Sequence, residues 1–150
     1  MDIHTIILAG GKGTRMLSQK AKVLQVLGGI TMLNHVMTAA NKISNKISVV
    51  VGFDKEGVEE EIKKIGINAD TFLQKEQIGT ADAVKTTLKD IDKNEKILIL
   101  YGDVPLIKEE TLKKLCNQES DLSILTTNLE NPTGYGRTVK DKENNVLELS

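Results

Sequence analysis

Short apolar runs rich in β-branched residues alternate along this chain with longer amphipathic stretches, and that alternation leaves few folds open. Ile3–Leu8 is apolar almost throughout, as a strand buried on both faces requires. From Met32 to Ile43, apolar residues at Met32, Leu33, Val36, Met37, Ala40 and Ile43 recur at helical spacing. Ile47–Val51 reads as a second strand. Lys55–Ile65 reads as a charged surface helix with Val58, Ile62 and Ile65 inward. Ala69–Leu73 predicts a short strand, Thr80–Leu88 a helix, Lys96–Tyr101 a strand, Glu109–Cys116 a helix and Asp121–Thr127 a further strand. Pro132, Gly134 and Gly136 then mark a turn, and Arg137–Lys140 and Val146–Leu149 read as two strands joined through Lys142–Asn145. Strand and helix in this order predict an α/β fold: a Rossmann-like, mainly parallel sheet with helices on both faces. No repeat, low-complexity stretch or linker interrupts it, so residues 1–150 are expected to form a single domain.

In such sheets ligands sit at the carboxyl ends of the strands. That rule selects the loops after Leu8, Leu73 and Tyr101, and all three carry unusual residues. The first is Gly10-Gly11-Lys12-Gly13-Thr14-Arg15. Glycines here let backbone N–H groups approach an anion closely. Thr14 adds a hydroxyl, and Arg15 can hold a phosphate in bidentate fashion. Two familiar phosphate loops are excluded. No glycine pair has Walker spacing, and the dinucleotide fingerprint started at Gly11 ends on Met16.

Composition narrows the partners. Basic and acidic residues number 20 and 21 for a net charge of −1, so no basic excess points to nucleic acid. Aromatics at 3% supply no row of rings for stacking bases. No apolar run approaches the ~20 residues of a membrane span. The run Ile6–Gly11 is short and ends in glycines and a lysine, unlike a signal peptide. The expectation is a cytoplasmic protein with small-molecule partners. Cys116 lies in a helical pattern and reads as a buried structural thiol, and His4 and His35 read as structural.

LAGGKGTRM, followed by KVL at Lys22–Leu24, resembles the start of the sugar-phosphate nucleotidyltransferase (MobA-like NTP transferase) superfamily. Within it the chain looks most like the uridylyltransferase domain of the bifunctional enzyme that makes UDP-N-acetylglucosamine. LQKEQIGTA at Leu73–Ala81, YGDVPLI at Tyr101–Ile107 and NPTGYGR at Asn131–Arg137 agree in order. The resemblance implies a nucleoside triphosphate, UTP favoured, and a sugar 1-phosphate as substrates. Leu8, Ala9, Gly10, Gly11, Gly13 and Thr14 would line the nucleotide, with Arg15 and Lys22 as the catalytic cations on its phosphates. Gln74, Gly79 and Thr80 would recognise the uracil edge, and an amide suits it because it can donate and accept at once. Asp103 would hold Mg²⁺, for which a carboxylate is a hard oxygen ligand. The backbone at Gly136 would lie against the sugar, and Tyr101 and Pro105 would be packing residues.

Several positions depart from that pattern. Ala21 stands where proline usually precedes the lysine, Ile30-Thr31 where Lys-Pro is common, Phe53 where histidine follows the glycine, and Asp82 where histidine follows Gly-Thr. In the family the domain continues beyond the position of Ser150 to residues that hold the sugar acetamide and complete the magnesium site. The expectation is therefore a domain incomplete at its C-terminus, lacking that part and the left-handed β-helix of acetyltransfer. Its unfinished sheet edge after Leu149 could take a second copy or another chain. Two alternatives stay open: a nucleotide-binding but catalytically impaired fragment, and a transferase of different base or substrate.

Overall fold

The computed structural model describes residues 2–13, 19–76, 78–143 and 145–149. The chain divides into two compact units, Met1–Asn117 and Gln118–Ser150.

The first unit is built on four parallel strands: β1 (Ile3–Leu8), β4 (Lys46–Val51), β5 (Asp70–Leu73) and β6 (Lys96–Tyr101). Their order is β5-β4-β1-β6. From β1 the chain steps outward to β4 and β5, then returns across the sheet to β6 on the far side of β1. The reversal places a topological switch point between β1 and β6, where open α/β sheets form their ligand crevices. Leu8 is in register with both Val50 and Tyr101, so these strand ends emerge side by side.

The helices follow the expected phases. In α1 (Met32–Asn41), Leu33, Val36, Met37 and Ala40 are fully buried. Its N-cap hydroxyl, Thr31 Oγ1, accepts from Asn34 N at 3.1 Å. It stops short of Ile43 because the amides of Ile43 and Ser44 both turn back onto Ala40 O, each at 3.0 Å, which tightens the exit toward β4. In α2 (Lys55–Ile65), Val58 and Ile62 are buried, Ile65 packs against the same core, and left-handed Gly66 ends the helix. One core gathers α1, α2 and α4 (Glu109–Cys116) with Ile7, Val49, Val51, Leu98 and Leu100. The short helix α3 (Thr80–Lys85) contributes Ala83 to a separate cluster with Ile6 and Val50, residues of the opposite pleat. Helices therefore cover both faces of a parallel sheet, as the periodicity predicts.

His4 is fully buried, with Nδ1 3.1 Å from Glu95 Oε2 and Nε2 2.8 Å from Ser48 Oγ. His35 Nε2 lies 2.8 Å from Leu27 O. Both histidines tie elements together, as expected. Cys116 is buried too, and desolvation pushes its thiol above the ordinary range, partly opposed by Lys96. That makes it a poor nucleophile.

Two readings need correction, and one element was missed. Thr80–Leu88 is not one helix: α3 ends at Lys85, and Leu88–Asp90 forms a separate 3-10 turn. Residues 121–127 form no strand. Their apolar pattern resembles one, but Leu122 and Leu125 are 73% and 53% exposed, so the alternation buries no face. A hairpin of β2 (Val26–Leu27) and β3 (Ile30–Thr31) was not expected. Gly28 and Gly29 make its turn with φ of 61° and 96°, the positive pair that a two-residue type I′ loop demands. In the second unit, β7 (Thr138–Lys140) and β8 (Val146–Leu149) pair antiparallel across a turn where Asp141 Oδ1 accepts from Glu143 N and Asn145 N. Among the described residues no helix is long and apolar enough to cross a membrane.

Leu33 lies at the centre of the main core with no exposed surface. Leu33→Ala is expected to lower unfolding free energy by about 2–5 kcal/mol, read from urea denaturation. A loss below about 0.5 kcal/mol, the range of surface changes, would contradict this account of the core.

Candidate functional site

The loop after β1 is held from two sides. Ala9 N donates to Val50 O at 2.8 Å, and Gly10 O accepts from Phe53 N at 3.1 Å. A Cβ on Gly10 would lie 3.3 Å from Gly52 N and 3.4 Å from Gln74 Oε1, a tight fit that the bare glycine avoids. Gly13 has φ of 61°, and a Cβ on it would fall 2.8 Å from Lys22 Cβ. Gly11 is different in kind. A Cβ there would meet nothing within 4 Å, because the position faces an open crevice.

That crevice, of about 600 Å³, lies in the first unit at the carboxyl ends of β1, β4 and β6. Its size suits a small-molecule ligand. It is lined by the loop residues Leu8, Gly10, Gly11, Lys12 and Gly13, by Gln74, Gly79 and Thr80, and by Lys22 and Asp103. Val50 and Ala83 give an apolar floor.

Lys22 opens a 3-10 turn, Lys22–Leu24, between two anchors: Ala21 is fully buried and Val23 is 3% exposed. Val23 packs where Gly102 leaves room, since a Cβ on Gly102 would sit 2.9 Å from Val23 Cγ1 and 3.1 Å from Leu8 O. With both neighbours buried, Lys22 reaches outward. Its Nζ donates to Asp103 Oδ2 at 2.8 Å, across 81 positions of sequence. The two side chains are 39% and 33% exposed, and a pair so open to water contributes about 0–1 kcal/mol. An incoming phosphate or cation could exchange partners with it at little cost.

Gln74 follows β5 and is only 7% exposed. Its Nε2 donates to Gly79 O at 3.1 Å and to Asp82 Oδ2 at 3.0 Å. Two acceptors on that side dictate which amide atom is nitrogen. Both N–H groups are thus engaged, and toward a ligand the amide offers Oε1 as an acceptor. This narrows the expected dual role of Gln74, and Asp82 is the cause. Its acidic place in the first turn of α3 was the available signal. Gly79, with φ of 132°, is the N-cap, and Thr80 is the first helical residue rather than the cap.

The crevice brings together Leu8, Gly10, Gly11, Gly13, Lys22, Gln74, Gly79, Thr80 and Asp103 of the expected set. Ala9 stands apart: its side chain is 1% exposed in the core. Thr14 and Arg15 lie outside the described residues. Gly136 belongs to the second unit, where it lines a hollow with Tyr135, Arg137 and Thr138. Tyr101, expected to pack, is 51% exposed and lines the crevice as the last residue of β6. Lys12 also lines it, with Nζ 5.4 Å from the Phe53 ring centroid.

A glycine loop, a lysine and a carboxylate meet at the switch point of this parallel sheet, where α/β domains bind their ligands. Residues 5–143 match the family described as the MobA-like NTP transferase domain, and the chain belongs to that family. Among curated relatives it is similar to the bifunctional protein GlmU of Ruthia magnifica, 48% identical over 145 residues, and to that of Thermotoga maritima, 43% identical over 142. These alignments cover 95% and 93% of this chain but 32% and 31% of the relatives, so the chain spans about a third of their length. Among solved structures, a nucleotidyl transferase from Methanothermobacter superposes with a TM-score of 0.68 at 21% identity, covering 77% of this chain and 56% of that one. A UDP-glucose pyrophosphorylase from Acinetobacter gives 0.60 at 17%, covering 69% and 46%. These two likenesses establish the shared fold.

Gly102 and Gly11 make opposite demands on space. Gly102→Ala is expected to destabilise the chain by about 1–3 kcal/mol through overpacking, whereas Gly11→Ala is expected to stay within about 0.5 kcal/mol. Urea unfolding of both variants checks the pair, and equal losses would contradict the packing described.

Proposed function

We propose that this domain transfers UMP from UTP to N-acetylglucosamine 1-phosphate with release of pyrophosphate. The observation that carries the reading is the 2.8 Å Lys22–Asp103 pair at the mouth of a glycine-loop crevice. One side chain suits phosphate and the other a hard cation, and their pairing is weak enough to be replaced by both.

A phosphate oxygen of the sugar 1-phosphate attacks the α-phosphorus of UTP in line. A new P–O bond forms, the bond to the bridging α,β-oxygen breaks, and pyrophosphate leaves with that electron pair. Negative charge crowds this path, so rate depends on fixed positive groups and N–H dipoles aimed at it. Lys22 is built for that task by its buried neighbours. The loop at Gly10–Gly13 lines the same space, and the resemblance assigns Arg15 to the phosphates. Gln74 Oε1 accepts the N–H of the uracil edge, held in place by Gly79 and Asp82.

Among the described residues no cluster of three acidic, histidine or cysteine side chains forms a metal cage. Asp103 nonetheless fits Mg²⁺, which often takes only one or two protein carboxylates beside substrate phosphates and water. When bound, that ion would neutralise phosphate charge and orient the triphosphate.

The engagement of Gln74 by Asp82 favours a second reading, transfer of a different base, and competition among UTP, CTP and GTP separates it from the first. Pyrophosphate release is expected from UTP, N-acetylglucosamine 1-phosphate and Mg²⁺. Asp103→Ala and Lys22→Ala should each lower it by about 10²–10³-fold. Binding of UTP without turnover would instead mark a nucleotide-binding, catalytically impaired domain.

A further inference from the structure

Among the described residues, Asp54 is the one non-glycine residue with positive φ, at 56°. Aspartate tolerates this left-handed region better than most side chains, yet glycine would occupy it with less strain. Asp54 stands at the N-cap of α2, but its side chain makes no capping bond there. Its Oδ2 reaches away and accepts from Ala21 N at 3.0 Å, 33 residues back in sequence.

A second observation shows room reserved for that carboxylate. Gly57 lies in the first turn of α2, and glycine is a weaker helix former than alanine. A Cβ on Gly57 would fall 2.6 Å from Asp54 Oδ1 and 2.9 Å from Asp54 Cγ. A strained aspartate and a helix-weakening glycine therefore serve the same bond.

The acceptor end of that bond explains its use. Ala21 has ψ of 142° and φ of −54°, the latter a value that a proline ring would fix unaided. Alanine is free to leave them, and its N–H needs a partner because the residue is fully buried. Lys22 follows directly and carries the ammonium on Asp103. The same turn after β4 also ties down the glycine loop, since Phe53 N donates to Gly10 O.

We propose that Asp54 is a positioning residue for nucleotidyl transfer: its carboxylate holds Ala21 in a proline-like conformation and thereby aims Lys22 into the crevice. Its consequence for nucleotide binding rests on the function proposed above, and its structural core does not.

Five forms of the full chain test it: wild type, Asp54→Asn, Asp54→Gly, Ala21→Pro, and Asp54→Gly with Ala21→Pro. Glycine and asparagine both tolerate the backbone at position 54, so the variants are expected to fold. Asparagine keeps an acceptor oxygen, whereas glycine removes it. Proline at position 21 supplies the φ without the bond, and its Cδ needs the space that the carboxylate leaves. Ala21→Pro beside an intact Asp54 would drive Cδ into Oδ2, so that single variant should do worse than the double one.

Two readouts need no nucleotide. Exchange of the Ala21 amide with deuterium should be slow in wild type and Asp54→Asn and at least tenfold faster in Asp54→Gly. Acylation of the Lys22 amine, followed by mass spectrometry, should run several-fold faster in Asp54→Gly and return toward wild type in the double variant. UTP·Mg²⁺ affinity should then fall about tenfold in Asp54→Gly, as Lys22 loses its fixed aim, and recover with Ala21→Pro. An Ala21 amide equally protected in Asp54→Gly overturns the bond. Lys22 reactivity or UTP affinity that follows overall stability, without rescue by proline, overturns the positioning role. A wild type that binds no UTP defeats the proposed function, while the two nucleotide-free readouts still decide this one.

Discussion

Pairing of β1 with β4 on one side and β6 on the other is the interaction on which everything else depends. β1 is short, and Ile6 and Ile7 are fully buried on opposite pleats, so its position is set by both cores at once. A slip of one residue would exchange the two faces and strand the apolar set of each. Held in register, Leu8, Val50 and Tyr101 end together. The glycine loop, Gln74 and Asp103 are then delivered to one crevice by segments distant in sequence.

The crevice joins rigid backbone to adaptable charge. Glycines at positions 13 and 102 let chain segments meet at distances that a Cβ could not share without a shift. Lys22 and Asp103, by contrast, are half open to water and hold one another only lightly. Such a division suits nucleotidyl transfer. The shape of the pocket costs nothing to reorganise during reaction, while the ion pair can exchange partners as substrate charge arrives.

Much of this architecture was legible because it is written in local periods. β1, α2, β6 and α4 carry strong runs or clear helical spacing, and the structure reproduces their limits. Elements without a period were not legible. The hairpin of β2 and β3 has two-residue strands, and only the Gly28-Gly29 pair announced its turn. The segment 121–127 shows the converse error, since strand-like composition does not supply a neighbouring ladder. For the site, the glycine loop and Asp103 stood out as strand-end residues. The Lys22–Asp103 contact, the capture of Gln74 by Asp82 and the exposure of Tyr101 depend on tertiary placement. Ala21 is instructive here. Against the pattern that the resemblance implies it stands in place of a proline, and in the structure its N–H donates to the Asp54 carboxylate.

The proposed function requires the strand-end crevice of the first unit to bind a nucleoside triphosphate. Titration of the isotopically labelled chain with UTP and Mg²⁺, followed by amide chemical shifts, tests it most directly. The account predicts saturable shifts concentrated at Gly10, Gly11, Gly13, Lys22, Gln74, Gly79, Thr80 and Asp103, with the backs of α1 and α2 unmoved. Saturable shifts centred elsewhere, or none with UTP, CTP or GTP at millimolar concentration, would contradict it.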